Sequence, residues 1–211
     1  YEYGTSAEKI EKPEDPKKDA DAEYTYSFAG WDHKIETVTE NVTYKATYNK
    51  TKNKYSVTFV DEDGTVLLEA KTYEYGTAAA DITKPASDPT KAADAEFTYE
   101  FDGWSPEIKA VTGNATYKAT YKGTKNKYTV TFVDEDDTVL LAAKSYDYGT
   151  AVEDIDTPED PSKPADSQHT YVFTGWAPEL APVTANVTYK ATYSESTRKF
   201  TVTLVHEDGK V

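Results

Sequence analysis

The sequence predicts a β-dominated α+β protein built from small tandem units, each of about four strands and one short helix. The first observation is a repeat of about 72 residues, in which Gly30-Trp31 returns as Gly103-Trp104 and Gly175-Trp176. The second is the near-identity of two distant segments, because residues 51–77 match residues 124–150 at 22 of 27 positions. The third is an alternation of apolar and polar side chains inside each unit, which is typical of strands.

Four segments of each unit alternate with a period of two. In Tyr55–Phe59, Tyr, Val and Phe face one side of the strand, while Ser and Thr face the other. Asp63-Gly64 follows as a tight turn, because glycine accepts a positive φ at little cost. The predicted strands of this unit are Tyr55–Phe59, Val66–Tyr75, Phe97–Phe101 and Ala115–Tyr121.

The short helix is expected between the second and third strands. The stretch Ala78–Ala95 is rich in alanine, but Pro85 and Pro89 interrupt it. Proline lacks the amide hydrogen and clashes with the preceding helical turn, so a long helix is excluded. The sequence therefore predicts a helix over Ala78–Thr83 as the single element that covers the sheet.

Composition limits the classes of partner. The formal charge of −15 and the pI near 4.6 argue against nucleic acid, whose phosphates need clustered Lys and Arg. The longest apolar runs, such as Val139–Ala143, are too short to cross a bilayer, so no membrane insertion is expected. The 18 tyrosines supply enough apolar area for a small core, which argues against disorder.

The repeat admits two divisions into units. The favoured one has a partial unit at residues 1–54 that lacks its first hairpin, complete units at 55–127 and 128–199, and the first strand of a further unit at 200–211. The alternative has near-equal pieces at 1–66, 67–139 and 140–211. The polar joints between units are Asn49–Lys54, Lys122–Lys127 and Ser194–Lys199. The pairing of Phe200–Val205 is expected to distinguish the two divisions.

The histidines give no sign of a catalytic or metal site. His33, His169 and His206 occupy different positions of the repeat, whereas a site built into the unit would recur with it. We expect all three on the surface or at its rim. The sequence therefore supports no catalytic, cofactor-binding or metal-binding residue, no cofactor and no enzyme activity.

Two acidic turns and three tryptophans each allow a structural and a functional interpretation. Asp61–Gly64 and Asp134–Asp137 are read as solvated hairpin turns, with a weak calcium site as the alternative. They lack the spaced ligands of an EF-hand loop. The tryptophans are expected to fill the core, with exposed sugar-stacking platforms as the alternative: Trp31, Trp104 and Trp176.

The combined order of motifs resembles a known family. Tyr128–Phe132, Tyr148-Gly149, Gly175-Trp176 and Ala191–Tyr193 are similar to the Listeria–Bacteroides repeat, also called the internalin B-repeat type. The resemblance implies a compact β-grasp-like unit and no catalytic residues. It also implies tandem copies in surface proteins of Gram-positive and gut bacteria, between adhesive heads and wall anchors.

The expected function is that of a stalk. Repetition, recurring polar joints and the lack of a recurring reactive cluster favour a spacer that projects a binding domain from a bacterial cell. The chain would then be extracellular, attached to the cell wall through other parts of its protein, monomeric, and in contact with neighbouring repeats. The alternative is an adhesive module whose repeats each bind a host glycan or matrix protein weakly and gain by avidity.

Overall fold

The computed structural model describes residues 1–207 and 209–210 of the chain. Its strands, in chain order, are β1 Tyr24–Trp31, β2 Ala46–Lys52, β3 Lys54–Val60, β4 Val66–Glu74, β5 Phe97–Ser105, β6 Ala115–Lys125, β7 Lys127–Val133, β8 Val139–Asp147, β9 His169–Ala177 and β10 Val187–Thr197. Three single 3-10 turns accompany them, at Ala7–Lys9, Ala79–Asp81 and Val152–Asp154. The part described is thus tandem β-structure, and within it no helix is long and apolar enough to span a membrane.

The chain forms two compact units. Unit 1 comprises Tyr1–Lys91 and Phe101–Lys122, and unit 2 comprises Ala92–Glu100 and the chain from Gly123 onward. The division cuts β5 and β6, so a compact unit does not coincide with one sequence repeat. Each unit is therefore described by its own contacts.

The complete sheets are mixed, with a parallel pair at the centre. The strand order β4-β3-β6-β5 of one sheet is repeated as β8-β7-β10-β9 in the next, whereas β1 and β2 form a two-stranded sheet. β3 pairs antiparallel with β4 and parallel with β6, from Val57 opposite Ala115 to Val60 opposite Lys118. The first and last strands of a repeat are therefore direct neighbours.

The alternation predicted for these strands is confirmed by their burial. Val57 and Phe59 of β3 are buried, and Phe59 is only 1% exposed. Each four-stranded sheet covers one cluster of five buried side chains, contributed by two strands, the residue after the 3-10 turn and the segment before the last strand. The clusters are Val57, Phe59, Ile82, Val111 and Tyr117, and Val130, Phe132, Ile155, Val183 and Tyr189.

The short helix expected over Ala78–Thr83 is not confirmed. The structure has one 3-10 turn there, and Ile82 leaves it with extended backbone angles, φ −76° and ψ 119°. This conformation sends the Ile82 side chain into the core, where it is 3% exposed. The next amide, of Thr83, donates to the Tyr73 hydroxyl at 3.0 Å. The described residues contain no α-helix to cover the sheet, and the β-grasp-like fold stays a prediction.

The Gly-Trp pairs mark bulges. Gly30, Gly103 and Gly175 have φ between +120° and +133°, a range that side chains rarely adopt. The register of β1 and β2 shifts at Gly30, between Phe28 and Gly30. The bulge changes which face the following residue takes. As a result Trp104 packs on Phe59, with ring centroids 4.8 Å apart.

The trailing segment Phe200–Val205 is not a strand in the part described. Its sequence repeats that of β3 and β7, yet Val202 and Leu204 are each 82% exposed. The pairing that was expected to distinguish the two divisions of the repeat is therefore not formed. The remainder of the predicted segment 200–211 includes Asp208 and Val211, which lie outside the described residues.

Candidate functional site at the polar joints

Within each of the first two polar joints, a single residue separates two consecutive strands. β2 ends at Lys52 and β3 begins at Lys54, so Asn53 alone separates them. In the same way Asn126 alone separates β6 from β7. For a chain expected to act as a spacer, these joints are the positions that decide how repeats connect.

An aspartate organises the segment that each joint contacts. The Asp21 carboxylate accepts hydrogen bonds from the amides of Glu23 and Tyr24, at 2.9 and 2.7 Å, and from the Tyr26 hydroxyl at 2.7 Å. The Tyr26 hydroxyl and the Tyr24 amide hold the pKa of Asp21 below its usual value. The carboxylate thereby fixes the turn that leads into β1.

Asn53 fastens β2–β3 to this turn. Its side-chain amide donates to the carbonyls of Asp21 and Ala22, at 2.7 and 3.2 Å. Its side-chain oxygen accepts from the Thr25 hydroxyl at 2.7 Å. The Tyr55 hydroxyl, at the start of β3, donates to the Ala22 carbonyl at 2.6 Å. We call the group Asp21, Ala22, Thr25, Asn53 and Tyr55 the first clamp.

The backbone of Asn53 is bonded as well. Its amide donates to the Glu23 carbonyl, and its carbonyl accepts from the Tyr75 amide, both at 2.8 Å. Every polar group of this residue thus has a partner inside unit 1. The joint therefore contains no unbonded residue that could act as a free linker.

The second clamp, in unit 2, repeats the first bond for bond. The Asn126 side chain donates to the carbonyls of Asp94 and Ala95 and accepts from Thr98, and the Tyr128 hydroxyl donates to Ala95. The distances are 2.7, 3.2, 2.7 and 2.8 Å respectively. The geometry is therefore built into the repeat.

The third joint keeps the aspartate and loses the asparagine and the tyrosine. Asp166 still accepts from the amides of Gln168 and His169 and from Tyr171, and these bonds lower its pKa to about 2, the tyrosine first. Arg198 stands where the other joints have asparagine, and it donates to the Asp166 carbonyl at 2.8 Å. Phe200 replaces the tyrosine and has no hydroxyl to donate.

Sequence reasoning found the polarity of the joints and missed the clamps. The available signal was Lys52-Asn53-Lys54-Tyr55, which is repeated at residues 125–128 with the asparagine and tyrosine unchanged. The second signal was an aspartate three residues before β1, β5 and β9, at Asp21, Asp94 and Asp166. Such aspartates bond to nearby backbone amides in turns.

The acidic turns have a structural role for their carboxylates. Asp61 accepts from the Glu62 amide at 2.7 Å and from the Tyr121 hydroxyl at 2.6 Å. Burial and this hydrogen bond raise the pKa of Tyr121 to about 12. Tyr193 and Asp134 repeat the pair, with the same effect on the tyrosine pKa. Weak calcium binding stays the untested alternative to solvated turns, and the described residues show no group of three or more potential metal ligands.

The histidines lie on the surface or at its rim, as expected, whereas the three tryptophans are only partly buried. His33 and His206 are exposed and His169 is partly exposed. Trp104 and Trp176 are partly buried and pack against the two core clusters. Trp31, in contrast, lines a groove together with Ile10, Ile35, Val42 and Tyr44.

A shallow depression recurs beside the last strand of each repeat. Its volume is about 210, 260 and 260 Å³ in the three copies. The lining changes chemically, since His33 corresponds to Pro106 and Pro178, and Lys109 corresponds to Ala181. A binding site copied with the repeat would keep its polar groups.

Comparison with known proteins assigns the family. A model described as the Listeria-Bacteroides repeat domain matches residues 55–127 and again residues 128–202. Among solved structures, Streptococcal High Identity Repeats in Tandem (SHIRT) domains 3-4 from a cell surface protein are similar over 69% of this chain and 99% of that chain, at 17% identity and a TM-score of 0.32. No curated protein matches the sequence. The two family matches span more than half of the chain and confirm the resemblance seen in its motifs. The chain belongs to the Listeria-Bacteroides repeat domain family.

Proposed function

We propose that this chain is a stalk segment of an extracellular bacterial surface protein. It projects a binding domain, and other parts of the protein attach it to the cell wall. Its repeats are the partial unit 1–54, the complete units 55–127 and 128–199, and the start of another from residue 200. The observation that supports this role most directly is the clamp at each of the first two joints.

The clamps suit a spacer because, at each of the first two joints, they bond the one residue that separates two consecutive strands. A flexible linker lets neighbouring domains collapse on each other and shortens the reach of the chain. Here one asparagine connects two strands, and its side chain and backbone are bonded at both joints. The net charge of −15 adds mutual repulsion along the chain at low salt.

Small-angle scattering tests this role. A compact globule of this length would have a radius of gyration of about 17 Å, and a stalk should be clearly larger. We expect the double variant Asn53→Ala/Asn126→Ala to keep its sheets but to show a broader distribution of distances. Asn49→Ala is the matched control, because the Asn49 side chain is exposed in the same joint. A radius of gyration at the globular value would contradict the proposal.

The alternative of an adhesive module has the abundance of tyrosine in its favour, since tyrosine supplies rigid contact area for binding. A glycan array and a pull-down with extracellular matrix proteins would separate the two functions, each done with chains of two and three repeats. Binding that grows steeply with the number of repeats would favour adhesion by avidity. Absence of binding together with an extended shape would favour the stalk.

A further inference from the structure

The segment after the 3-10 turn of each complete repeat is held in place by a few side chains. We call it the insert; it comprises residues 84–91 in the second repeat and 157–165 in the third, and it belongs to neither a strand nor a 3-10 turn. In the third repeat Pro158, Pro161 and Lys163 are partly buried, while the other side chains of the insert are exposed. The second repeat has the same pattern, with Pro85, Pro89 and Lys91 partly buried. The lysine is therefore the one charged side chain that each insert turns toward the protein.

Lys163 lies in a site formed by two aromatic rings and a carboxylate. Its ammonium group is 4.0 Å from the centroid of the Tyr171 ring and 6.0 Å from that of the Tyr193 ring. It also forms an ion pair with Glu135, with Nζ and Oε1 2.5 Å apart, and the lysine side chain is only 29% exposed. The faces of aromatic rings attract a cation, and the attraction grows as the cation loses water. The hydrogen bond to Glu135 raises the pKa of Lys163, so the ammonium stays charged.

The groups of this site are held in position by other bonds. Tyr171 lies on β9 and Tyr193 on the adjacent strand β10, while Glu135 belongs to the acidic turn between β7 and β8. The Tyr193 hydroxyl donates to Asp134 of that turn, and the Tyr171 hydroxyl donates to Asp166, both at 2.7 Å. Because both hydroxyls are bonded, the ring faces keep their orientation toward the ammonium.

The same contacts recur in the other repeats. In the second repeat Lys91 pairs with Glu62 of the acidic turn at 2.6 Å, and the lysine side chain is 31% exposed. In the first repeat the Lys18 ammonium is 3.8 Å from the centroid of the Tyr26 ring and 5.9 Å from that of Tyr48. The depressions beside the last strand change their lining, whereas this site keeps its lysine and both tyrosines in every repeat. The site is therefore a property of the repeat.

The length of the insert varies only before the lysine. The two prolines are four positions apart in the second repeat, at Pro85 and Pro89, but three apart in the first and third. The lysine always follows the second proline by two positions, and an aspartate follows the lysine by three. These pairs are Lys18 and Asp21, Lys91 and Asp94, and Lys163 and Asp166. A fixed spacing on one side and a variable one on the other indicate that the lysine is the anchoring point of the insert.

We propose that Tyr171, Tyr193 and Glu135 form a binding site for an alkylammonium group, which Lys163 fills to hold the insert closed. While the lysine is bound, the insert covers the faces of the two tyrosine rings. When the lysine is removed, the insert is released and the site accepts a free primary ammonium instead. Lys91 and Glu62 act in the same way in the second repeat. The site is separate from the clamps, because it fastens the insert within one repeat.

The reactivity of the lysines tests the site in the parent chain. With a dilute amine-acylating reagent, Lys91 and Lys163 should react about tenfold more slowly than Lys109, because they are bound; the Lys109 side chain is 77% exposed. Mass spectrometry of the labelled peptides gives each rate. Glu135→Gln should speed the labelling of Lys163 and leave that of Lys91 unchanged. Glu62→Gln should do the reverse, so each variant is the matched control for the other.

Removal of the lysine tests whether it holds the insert. In Lys163→Ala, a glutamate-specific protease should cleave after Glu159 of the insert about tenfold faster than in the parent chain, with the sheets intact by circular dichroism. Lys163→Arg keeps the cation and should keep the slow cleavage. Lys190→Ala is the matched control, because Lys190 pairs with Asp137 of the same acidic turn at 2.8 Å and lies outside the insert. It should leave the cleavage rate unchanged.

Chemical rescue identifies the class of ligand. Ethylammonium chloride should slow the cleavage of Lys163→Ala back toward the parent rate, whereas sodium chloride at the same ionic strength should not. Equal slowing by both salts would overturn the ammonium site, because it would reflect screening alone. The proposal is also overturned if Lys163→Ala is cleaved at the parent rate, or if Lys163 reacts as fast as Lys109 in the parent chain.

Discussion

Ile10 and Ile82 occupy the same position of the repeat, but only Ile82 is fully buried. Both follow a 3-10 turn of the same length, and both leave it with extended backbone angles. The difference lies in β3, which covers Ile82 with Val57 and Phe59 and has no counterpart over Ile10. The backbone conformation at this position is therefore set by the nearby sequence, whereas the burial of the isoleucine is set by the hairpin of β3 and β4.

Truncating the two isoleucines is the strongest test of this comparison. Ile82→Ala should destabilise its sheet by about 2–5 kcal/mol, because it leaves a cavity in a buried cluster. Ile10→Ala should cost less than about 1 kcal/mol, since the side chain is only partly buried. Hydrogen exchange of the β3 and β6 amides measures the first change and that of the β1 and β2 amides the second. Equal costs would show that Ile10 is as well covered as Ile82 in the isolated chain.

The clamps extend the comparison to the joints. Asn126→Ala removes three side-chain hydrogen bonds, and we expect a loss of about 1–3 kcal/mol, because each such bond contributes about 0.5–1.5 kcal/mol and the sites are exposed. Urea unfolding followed by exchange of the β7 amides would measure it. Arg198→Asn should stabilise the third joint by a smaller amount. Suppose that Arg198→Asn leaves the free energy of unfolding unchanged while Asn126→Ala lowers it. In that case the absence of a tyrosine at position 200, and not the absence of asparagine, is what distinguishes the third joint.

The smallest effect at neutral pH concerns the partly buried tyrosines Tyr121 and Tyr193. Tyr121 and Tyr193 have pKa values raised from 10.0 to about 12 by burial and by Asp61 and Asp134. Because the pKa in the folded state exceeds that of the unfolded chain, the associated stability is complete below pH 10 and is lost between pH 10 and 12. Thermal melting across this range should show the loss, and Tyr121→Phe/Tyr193→Phe should reduce it.

The strands were predictable because their side chains alternate, and Val57 and Phe59 lie inward as that alternation requires. The Gly103 bulge was indicated only by a glycine inside a strand, and its consequence for Trp104 depends on a register shift that no pattern specifies. The 3-10 turn replaced the expected helix because Ile82 has to reach the core. The first clamp depends on Asp21 and Asn53, which are 32 residues apart in the chain. They meet only after β1 and β2 have paired.

The parallel pair β3 and β6 determines how a repeat would respond to tension. The start of β3 and the end of β6 lie at opposite ends of the pair, since the two strands run in the same direction. A pull on the chain at Lys54 and Lys125 therefore slides the strands along each other and loads their hydrogen bonds together. In an antiparallel hairpin such as β3–β4, a pull on the two free ends would open the bonds one after another. Mechanical unfolding of a complete repeat is therefore a shearing process, in which the whole row of bonds must fail in a single event.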